Sequence, residues 1–464
     1  MKKHSEAFYS VDGGENLPLS VHSIFNFELL EKFSFSKLSA EQFDLATLSN
    51  LVSRVDRLAI RERKNGWLRN LEITMPTHNP SLWQTPNVLE TLRETLRFLT
   101  GDNWDFTFVA RDKEDPFLKN QPTLPFYPPT PPAIIPYSGG MDSWAAALYL
   151  LHKTPTNPPL LLQLKDSGGK NFFKAPQGHG QPFFLRLPYS QKSQDGKKKE
   201  ESYRSRSFKF FVSAGLAAQL SGSMRVVIPE NGQGAFGPTL LRYGSEWPLR
   251  GNHPGFTKRL EKLFTIITDD TPIFDHVFLW MTKGEVLKKI TDYGAHEHWK
   301  ETHSCPRPTR KFPIPKGNMN CGVCSNCLLR RVAIHTAGLS DKDDLYVWQD
   351  LDSETLDLAL LPGASKASSK NDKSYAWLAI QDHVLLANPE ILNSAAFKIE
   401  TYEIAQALNI SIHEADQKLN HLLLKHAEEW QSFLDARAQR SWVRQWAEIF
   451  HETKQVKNHR ARTG

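Results

Sequence analysis

One short segment has the composition of an anion-binding turn, and it reads Ser138-Gly139-Gly140-Met141-Asp142-Ser143. A strand-like apolar run, residues 133–137, precedes it, and a helix-like run, residues 144–152, follows it. Such a turn suits phosphate because its backbone N–H groups are unpaired at the positive end of a helix dipole. The glycines allow close approach, the serines add donors, and Asp142 can hold Mg²⁺. A flexible turn without a ligand is the alternative.

The segment lacks the Lys-Ser/Thr ending of the NTPase phosphate loop, so γ-phosphate transfer is not expected. The order Ser-Gly-Gly-x-Asp-Ser instead resembles the pyrophosphatase loop of ATP-dependent adenylating ligases. Those enzymes convert a carboxyl or carbonyl oxygen to its AMP ester and release pyrophosphate. The resemblance implies that residues 138–143 bind ATP, with Asp142 and Ser143 as catalytic residues.

All four cysteines lie in one window, at Cys305, Cys321, Cys324 and Cys327. The spacing C-x15-C-x2-C-x2-C predicts a closed tetrahedral site of four thiolates, which favours a structural zinc over a catalytic one. Gly322 suits the tight turn that this spacing requires. Disulfides and an iron–sulfur cluster are the alternatives, although disulfides fit small secreted chains better.

The turn followed by the four-cysteine knuckle resembles 7-cyano-7-deazaguanine synthase, the queuosine-pathway member of the pyrophosphatase-loop family. The resemblance covers about residues 133–340. Three further stretches carry it: residues 281–286 (Met-Thr-Lys-Gly-Glu-Val), residues 302–305 (Thr-His-Ser-Cys) and residues 324–330 (Cys-Ser-Asn-Cys-Leu-Leu-Arg). It implies a core like that of the adenine nucleotide α-hydrolases (the HUP fold) and ATP, Mg²⁺ and Zn²⁺ as cofactors.

The family activates 7-carboxy-7-deazaguanine with ATP, passes it to ammonia as the amide, and forms the nitrile in a second activation. By this resemblance Lys283 or Arg330 neutralises charge that develops on phosphate or acyl oxygen. A solvated lysine and a salt-bridge partner on a helix face are the respective alternatives. Glu230, Asn231 and Gly232 are candidate substrate residues, and Arg330 is a further candidate substrate residue.

The chain departs from the family in two segments on the substrate side. Residues 165–170 replace an aromatic-Gly-Gln-x-His-like stretch, and residues 233–238 are expected to form a glycine-rich loop that lies against a planar ring. Activation of the acid is therefore expected to be retained, while the acyl acceptor stays open.

Long extensions on both sides resemble the synthase-like component of antiphage systems, notably the Qat system and type IV CBASS. Residues 54–76 and 98–108 carry this looser resemblance. It implies antiviral defence and a partner-protein amine, such as an N-terminus, as acceptor in place of ammonia.

The 464 residues are 40% hydrophobic and 23% charged, which is typical of a globular protein. The chain has no apolar run long enough for a membrane span and begins with polar residues, so a cytoplasmic protein is expected. Strand–helix alternation over residues 133–290 predicts an α/β fold, a doubly wound parallel sheet with ligands at the carboxyl ends of its strands.

The domain organisation follows from composition. Residues 1–118 are expected to form an α+β accessory domain, with strands at 71–75 and 104–109 and a helix at 88–99. Prolines mark a linker at 119–132, the catalytic domain with its knuckle spans 133–340, and helices follow at 341–464. Residues 190–207 predict a surface loop, and residues 363–374 predict another linker or loop.

An alternative function is a nucleic-acid-binding or scaffold protein with a degenerate nucleotide-binding core. Residues 402–411 resemble the first half of a helix-turn-helix, but Glu414 and Asp416 begin the second helix and would repel phosphate. Nucleic acid is therefore not the expected partner. A sulfur-transferring enzyme of the same superfamily is disfavoured because all four cysteines are committed to the metal.

Overall fold

The computed structural model describes most of the chain, and the statements below concern only the residues it describes: 7–19, 28–62, 66–111, 130–164, 173–187, 200–241, 243–294, 298–305, 319–341, 345–362 and 369–451. The predictions for the proline-rich linker up to residue 129, for residues 165–170 and for residues 190–199 lie outside these residues.

A parallel sheet of five strands forms the centre of the molecule, in the order β7-β6-β5-β8-β9. The strands are short and rich in apolar residues, as expected for a sheet covered on both faces. They are β5 (Ile134–Pro136), β6 (Leu160–Leu164), β7 (Phe183–Leu187), β8 (Arg225–Val227) and β9 (Ile273–Asp275).

Helices cover both faces of this sheet. Ile134 joins the hydrophobic cluster on one face, and its neighbour Ile135 joins the cluster on the other, which follows from the alternation of side chains along a strand. The helices of this part are α5 (Met141–Lys153), α6 (Arg206–Leu220), α7 (Gly232–Leu240), α8 (Pro254–Thr268), α9 (Lys283–Asp292) and α10 (Ser325–Thr336). The expectation of an α/β fold with a parallel sheet is confirmed.

The strand order reverses between β5 and β8. The chain runs outward from β5 through β6 to β7 and then returns to the other side of β5 for β8 and β9. At such a reversal the two crossover connections diverge and leave a crevice at the carboxyl ends of the strands. The turn at 138–143 follows β5, and Glu230 follows β8, so both border this crevice.

The N-terminal residues form a second, mixed sheet in the order β2-β1-β3-β4. The predicted strands at 71–75 and 104–109 and the predicted helix at 88–99 are confirmed as β3, β4 and α4. The elements are β1 (Ala7–Val11), β2 (Leu17–Leu19), α1 (Glu28–Ser34), α2 (Ala40–Leu58), β3 (Asn70–Thr77), α3 (Pro80–Trp83), α4 (Pro86–Thr100) and β4 (Asn103–Ala110).

The N-terminal part shares one continuous hydrophobic core with the central sheet. Helix α2 packs against α6, and α4 packs against α8. At the second contact Trp247 donates its indole N–H to the carbonyl of Phe98 at 3.0 Å. The two sheets therefore stabilise each other, while the boundaries predicted at 118 and 132 stay predictions.

The C-terminal residues are helical, as their pattern predicts, and they pack on α7 and α10. Helix α11 begins at Ser369, so the loop predicted for 363–374 is wrong over its last residues. Asn409 has a φ of 52° and ends α12 in the left-handed conformation that asparagine tolerates. The elements are α11 (Ser369–Leu386), a 3₁₀ turn (Pro389–Asn393), α12 (Ala395–Leu408), α13 (Ile412–Asp435) and a last helical stretch at 442–451.

Candidate functional site: a turn of free amides beside an ion pair

The turn after β5 leads directly into the first residue of α5. Gly139 has a φ of 78°, a conformation that side chains resist, and Gly140 is the N-cap residue. The N-cap residue Gly140 has no side chain to cap this helix, and among the described contacts only the Met141 N–H meets a side chain, the Ser304 hydroxyl at 3.4 Å. The amides of Asp142 and Ser143 therefore remain available to an anion. The helix runs from Met141 to Lys153, which is long enough to present its positive end to the crevice.

The two serines of the turn have different surroundings. Ser138 is exposed, and its hydroxyl accepts the Gly140 N–H at 3.2 Å. Ser143 is buried and donates its hydroxyl to the Gly140 carbonyl at 3.1 Å. The two hydroxyl oxygens lie 3.2 Å apart. Ser143 therefore fixes the shape of the turn, while Ser138 faces outward.

Asp142 is the centre of a polar cluster that joins three strand ends. One of its carboxylate oxygens pairs with the ammonium of Lys283, which follows β9. The other accepts the side-chain amide of Asn231 at 2.9 Å, and the same amide nitrogen lies 3.2 Å from Glu230. We call Asp142, Glu230, Asn231 and Lys283 the Asp142 cluster. The fold thus brings together residues from three places that are far apart in the chain.

Lys283 occupies a position that is unfavourable for a cation. It is the first residue of α9, at the positive end of the helix dipole, and it is only 5% exposed. Thr282 caps this helix with Glu285, and the backbone N–H of Lys283 donates to the side chain of Gln233 at 2.7 Å. Burial of an ion pair costs desolvation energy. The solvated lysine considered from the sequence is therefore wrong, and the ammonium points into the cluster.

Glu230 is held beside Asp142 without a cation of its own in contact. Burial, and then the charge of Asp142, raise the pKa of Glu230 to about 7, although Lys283 opposes the shift. Asn252 donates to its second oxygen at 2.8 Å. At Gly234 a β-carbon would lie 2.1 Å from the Glu230 carboxylate, so only glycine leaves room for it. Asn252 is a site residue that no sequence pattern indicated.

The glycine-rich loop expected at 233–238 is instead part of helix α7, so that prediction is wrong. Asn231 caps this helix by accepting the Gly234 N–H at 3.0 Å. Gly232 packs closely against the carbonyl of Leu279 and the side chain of Leu422. Gly232 is therefore enclosed by protein and lies beneath the Asp142 cluster.

Arg330 lies beneath the turn and not among the groups that face the crevice. It is fully buried, and its guanidinium donates to the Thr302 hydroxyl at 2.6 Å and to the Trp299 carbonyl at 2.9 Å. His303, which follows Thr302, donates its backbone N–H to the Gly139 carbonyl at 3.0 Å. The salt bridge on a helix face considered from the sequence is wrong, and Arg330 supports the turn from below.

The four cysteines form one buried cluster, as their spacing predicts. Their sulfur atoms all lie within 4.8 Å of one another, with 3.7 Å between Cys321 and Cys327 and 4.0 Å between Cys305 and Cys324. A disulfide needs about 2.05 Å, so these thiols are free. Four thiolates at about 2.3 Å from one ion would be roughly 3.8 Å apart. The cluster could therefore hold a metal ion.

Local geometry confirms the tight turn of the knuckle. Gly322 has a φ of 91°, and a β-carbon there would lie 2.4 Å from the Trp348 carbonyl. The backbone N–H of Cys321 points at the Cys305 sulfur and that of Cys324 at the Cys321 sulfur, both at 3.4 Å. Such N–H···S contacts stabilise thiolates around a cation.

Ser304, next to His303, joins the knuckle to the turn by a second contact. Its hydroxyl accepts the Met141 N–H at 3.4 Å, and its own N–H and that of Cys305 both donate to Asn320 at 3.2 Å. A change at the cysteines therefore reaches the amides of the turn over a few bonds.

The C-terminal helices also reach the cluster, which the sequence did not indicate. Helix α13 places Glu429 against the hydroxyl of Thr282, the cap of α9, and burial raises the pKa of Glu429 to about 7. His426 accepts a hydrogen bond from Gln233 at 2.7 Å. The segment that resembles a helix-turn-helix thus uses an inner face of its second helix to pack on the site.

Comparison with models of protein families, with curated proteins and with solved structures gave no match. Within the described part of the chain, every helix is too short or too polar to cross a membrane.

Proposed function

We propose that this protein is an ATP-dependent ligase that adenylates the carboxylate of 7-carboxy-7-deazaguanine and passes the acyl group to an amine. The observation that supports it best is the convergence of the uncapped turn and the Asp142 cluster at the reversal of the parallel sheet. At that position amides that can bind an anion lie beside a buried lysine and two carboxylates. Adenylation uses such groups to bind phosphate, to neutralise its charge and to hold a metal ion.

In this mechanism the amides at 138–143 bind the phosphates of ATP. The carboxylates of Asp142 and Glu230 suit Mg²⁺, which would neutralise phosphate charge. The substrate carboxylate attacks the α-phosphorus, the bond to the β-phosphate oxygen breaks, and pyrophosphate leaves. Lys283, already buried beside the turn, stabilises the negative charge that develops there. An amine then attacks the acyl carbon, and AMP leaves.

The acceptor is ammonia or a partner-protein amine. The link to antiviral defence and to a protein acceptor rests on the resemblance of residues 54–76 and 98–108. We further propose that the four-cysteine cluster holds a structural zinc, since four thiolates leave no position for water. The resemblance of residues 133–340 is the basis for proposing a core like that of the adenine nucleotide α-hydrolases.

The test is pyrophosphate release from ATP and Mg²⁺, with and without the deazaguanine acid. We expect release that depends on the acid, and losses of about 10²- to 10³-fold in Asp142→Asn and Lys283→Met. Lys288→Met is the matched control, because Lys288 lies on the same helix but is exposed. Absence of acid-dependent release in the wild type, with amine or candidate partner present, would contradict the proposal.

A further inference from the structure

A cavity of about 350 Å³ lies between α7, α10, α11 and α13, beside the segment that carries Trp247. Its volume is within the range of small-molecule sites. Leu241, Leu386 and the indole of Trp247 give it mainly apolar walls, and Asp382 is the acidic side chain at its α11 wall. Polar side chains also line it, among them Gln233, Asn326 and the paired Arg204 and Glu246. Apolar surface combined with hydrogen-bonding groups suits a ring that carries polar substituents.

The cavity borders the turn and the Asp142 cluster. Gln233 lines it and accepts the backbone N–H of Lys283. Asn326 also lines it, and its side-chain amide lies 3.5 Å from the carbonyl of Ser304, whose hydroxyl contacts the turn. The cavity is therefore connected to the Asp142 cluster through Gln233 and to the turn through Asn326 and Ser304.

The carboxylate of Asp382 can accept more hydrogen bonds than it receives from the described residues. The hydroxyl of Tyr243 donates to one oxygen, and the hydroxyl of Ser325 donates to the other at 2.9 Å. Each oxygen retains a lone pair, so two parallel N–H groups of a ligand can bind both oxygens together. Among the described residues no lysine or arginine pairs with Asp382, and burial raises its pKa to about 7.

A buried histidine in the same cavity has a ring nitrogen without a partner among the described residues. The Nδ1 atom of His383 has no hydrogen bond in the described structure, although the side chain is only 4% exposed and lines the cavity. Buried polar atoms are normally satisfied, and an exception indicates a missing ligand or water. Its neighbour His426 is satisfied by Gln233 and by the His383 carbonyl.

We propose that this cavity binds a guanine-type base and that Asp382 accepts hydrogen bonds from its ring N–H and exocyclic amino group. This edge is the feature of such a base that presents two adjacent N–H donors in one direction, which a carboxylate matches. The inference rests on the proposed function for the identity of the base. It assigns selection of the substrate to α11, outside residues 133–340 that carry the family resemblance.

The experiment measures binding of two ligands by calorimetry in the absence of ATP. One is 7-carboxy-7-deazaguanine, and the other is the same acid without its exocyclic amino group. We expect the second to bind the wild type about 10- to 100-fold more weakly, because it lacks one of the two N–H groups that donate to the Asp382 carboxylate. Asp382→Asn should lose a similar factor for the first ligand and discriminate little between the two.

Asp357→Asn is the matched control. Asp357 is exposed and pairs with Lys373 of α11, the helix that also carries Asp382. Thermal melting verifies that both variants are folded. Equal binding of both ligands to the wild type, no binding of either at millimolar concentration, or unchanged discrimination in Asp382→Asn would overturn the inference. Acid-dependent pyrophosphate release can persist in those cases. The release assay therefore tests the proposed function independently of the binding assay, which tests the base site.

Discussion

At the scale of single residues, the site depends on charges that are placed where they are costly. Lys283 is a buried cation at the positive end of a helix, and Glu230 is a carboxylate with a raised pKa beside Asp142. Proteins retain such groups where a ligand or a transition state uses them. Asp382, in the neighbouring cavity, is likewise a carboxylate whose pKa is raised by burial.

The raised pKa of Asp382 predicts that base binding depends on pH. The ionised carboxylate accepts both N–H groups, whereas the acid carries a proton on one oxygen. Affinity should therefore fall as the pH falls below about 7, by roughly 10- to 30-fold between pH 7.5 and 5.5. Calorimetry with 7-deazaguanine, which has no carboxyl group of its own, measures this.

The other ionisable groups of the cavity should contribute little over that range. Arg204 and Glu246 pair with each other at 3.3 Å. Burial lowers the pKa of His383 well below its usual value and that of His426 to about 4, so both are neutral. Asp382→Asn should bind weakly and without this pH dependence. A wild-type affinity that is flat from pH 7.5 to 5.5 would show that Asp382 does not bind the base.

At the scale of elements, the knuckle and the turn act as one unit. Ser304 contacts the turn, and its neighbour Cys305 belongs to the cysteine cluster. Arg330 holds the residues just before them, Trp299 and Thr302, from below. The amides of α5 are therefore positioned partly by whatever holds the four sulfur atoms together.

Removal of the metal should consequently weaken ATP binding as well as stability. We expect elemental analysis to find one zinc per chain, and chelator treatment to lower the melting temperature and weaken ATP affinity at least tenfold. Cys321→Ser should behave like the treated protein. Recovery of both properties on adding zinc is the control. Full ATP affinity in a metal-free, folded protein would show that the knuckle does not position the amides of the turn.

At the scale of the whole molecule, the catalytic segment is enclosed by the parts on both sides of it. Helix α4 packs on α8 in a shared core, and α13 contributes Leu422 over Gly232 and Glu429 at the cap of α9. The elements that carry Glu230 and Lys283 are thus covered by the C-terminal helices.

We therefore predict that residues 133–340 do not fold alone. Separating them exposes the apolar faces of α7 and α8, and the loss of burial, at about 25 cal/mol per Å², is large relative to the stability of a typical domain. Thermal melting of the isolated segment should lack a cooperative transition, whereas the full chain should melt cooperatively. A cooperative melt with ATP binding by 133–340 alone would contradict this.

The sequence by itself determined what depends on local order. The turn, the helix that follows it and the cysteine spacing were all predictable, because backbone amides, caps and C-x2-C knuckles are set by residues close together in the chain. The confirmed strands β3 and β4 likewise follow from short apolar runs.

Only the tertiary structure decided which distant residues share the site. The burial of Lys283 against Asp142 and the cavity at Asp382 bring together residues more than a hundred positions apart in the chain. The place of Asn252 beside Glu230 and the helix formed by the glycine-rich residues after Asn231 likewise became visible only in the structure. Such contacts leave no periodic signal in the sequence, because a polar residue in a loop looks the same whether the fold turns it towards solvent or towards another loop.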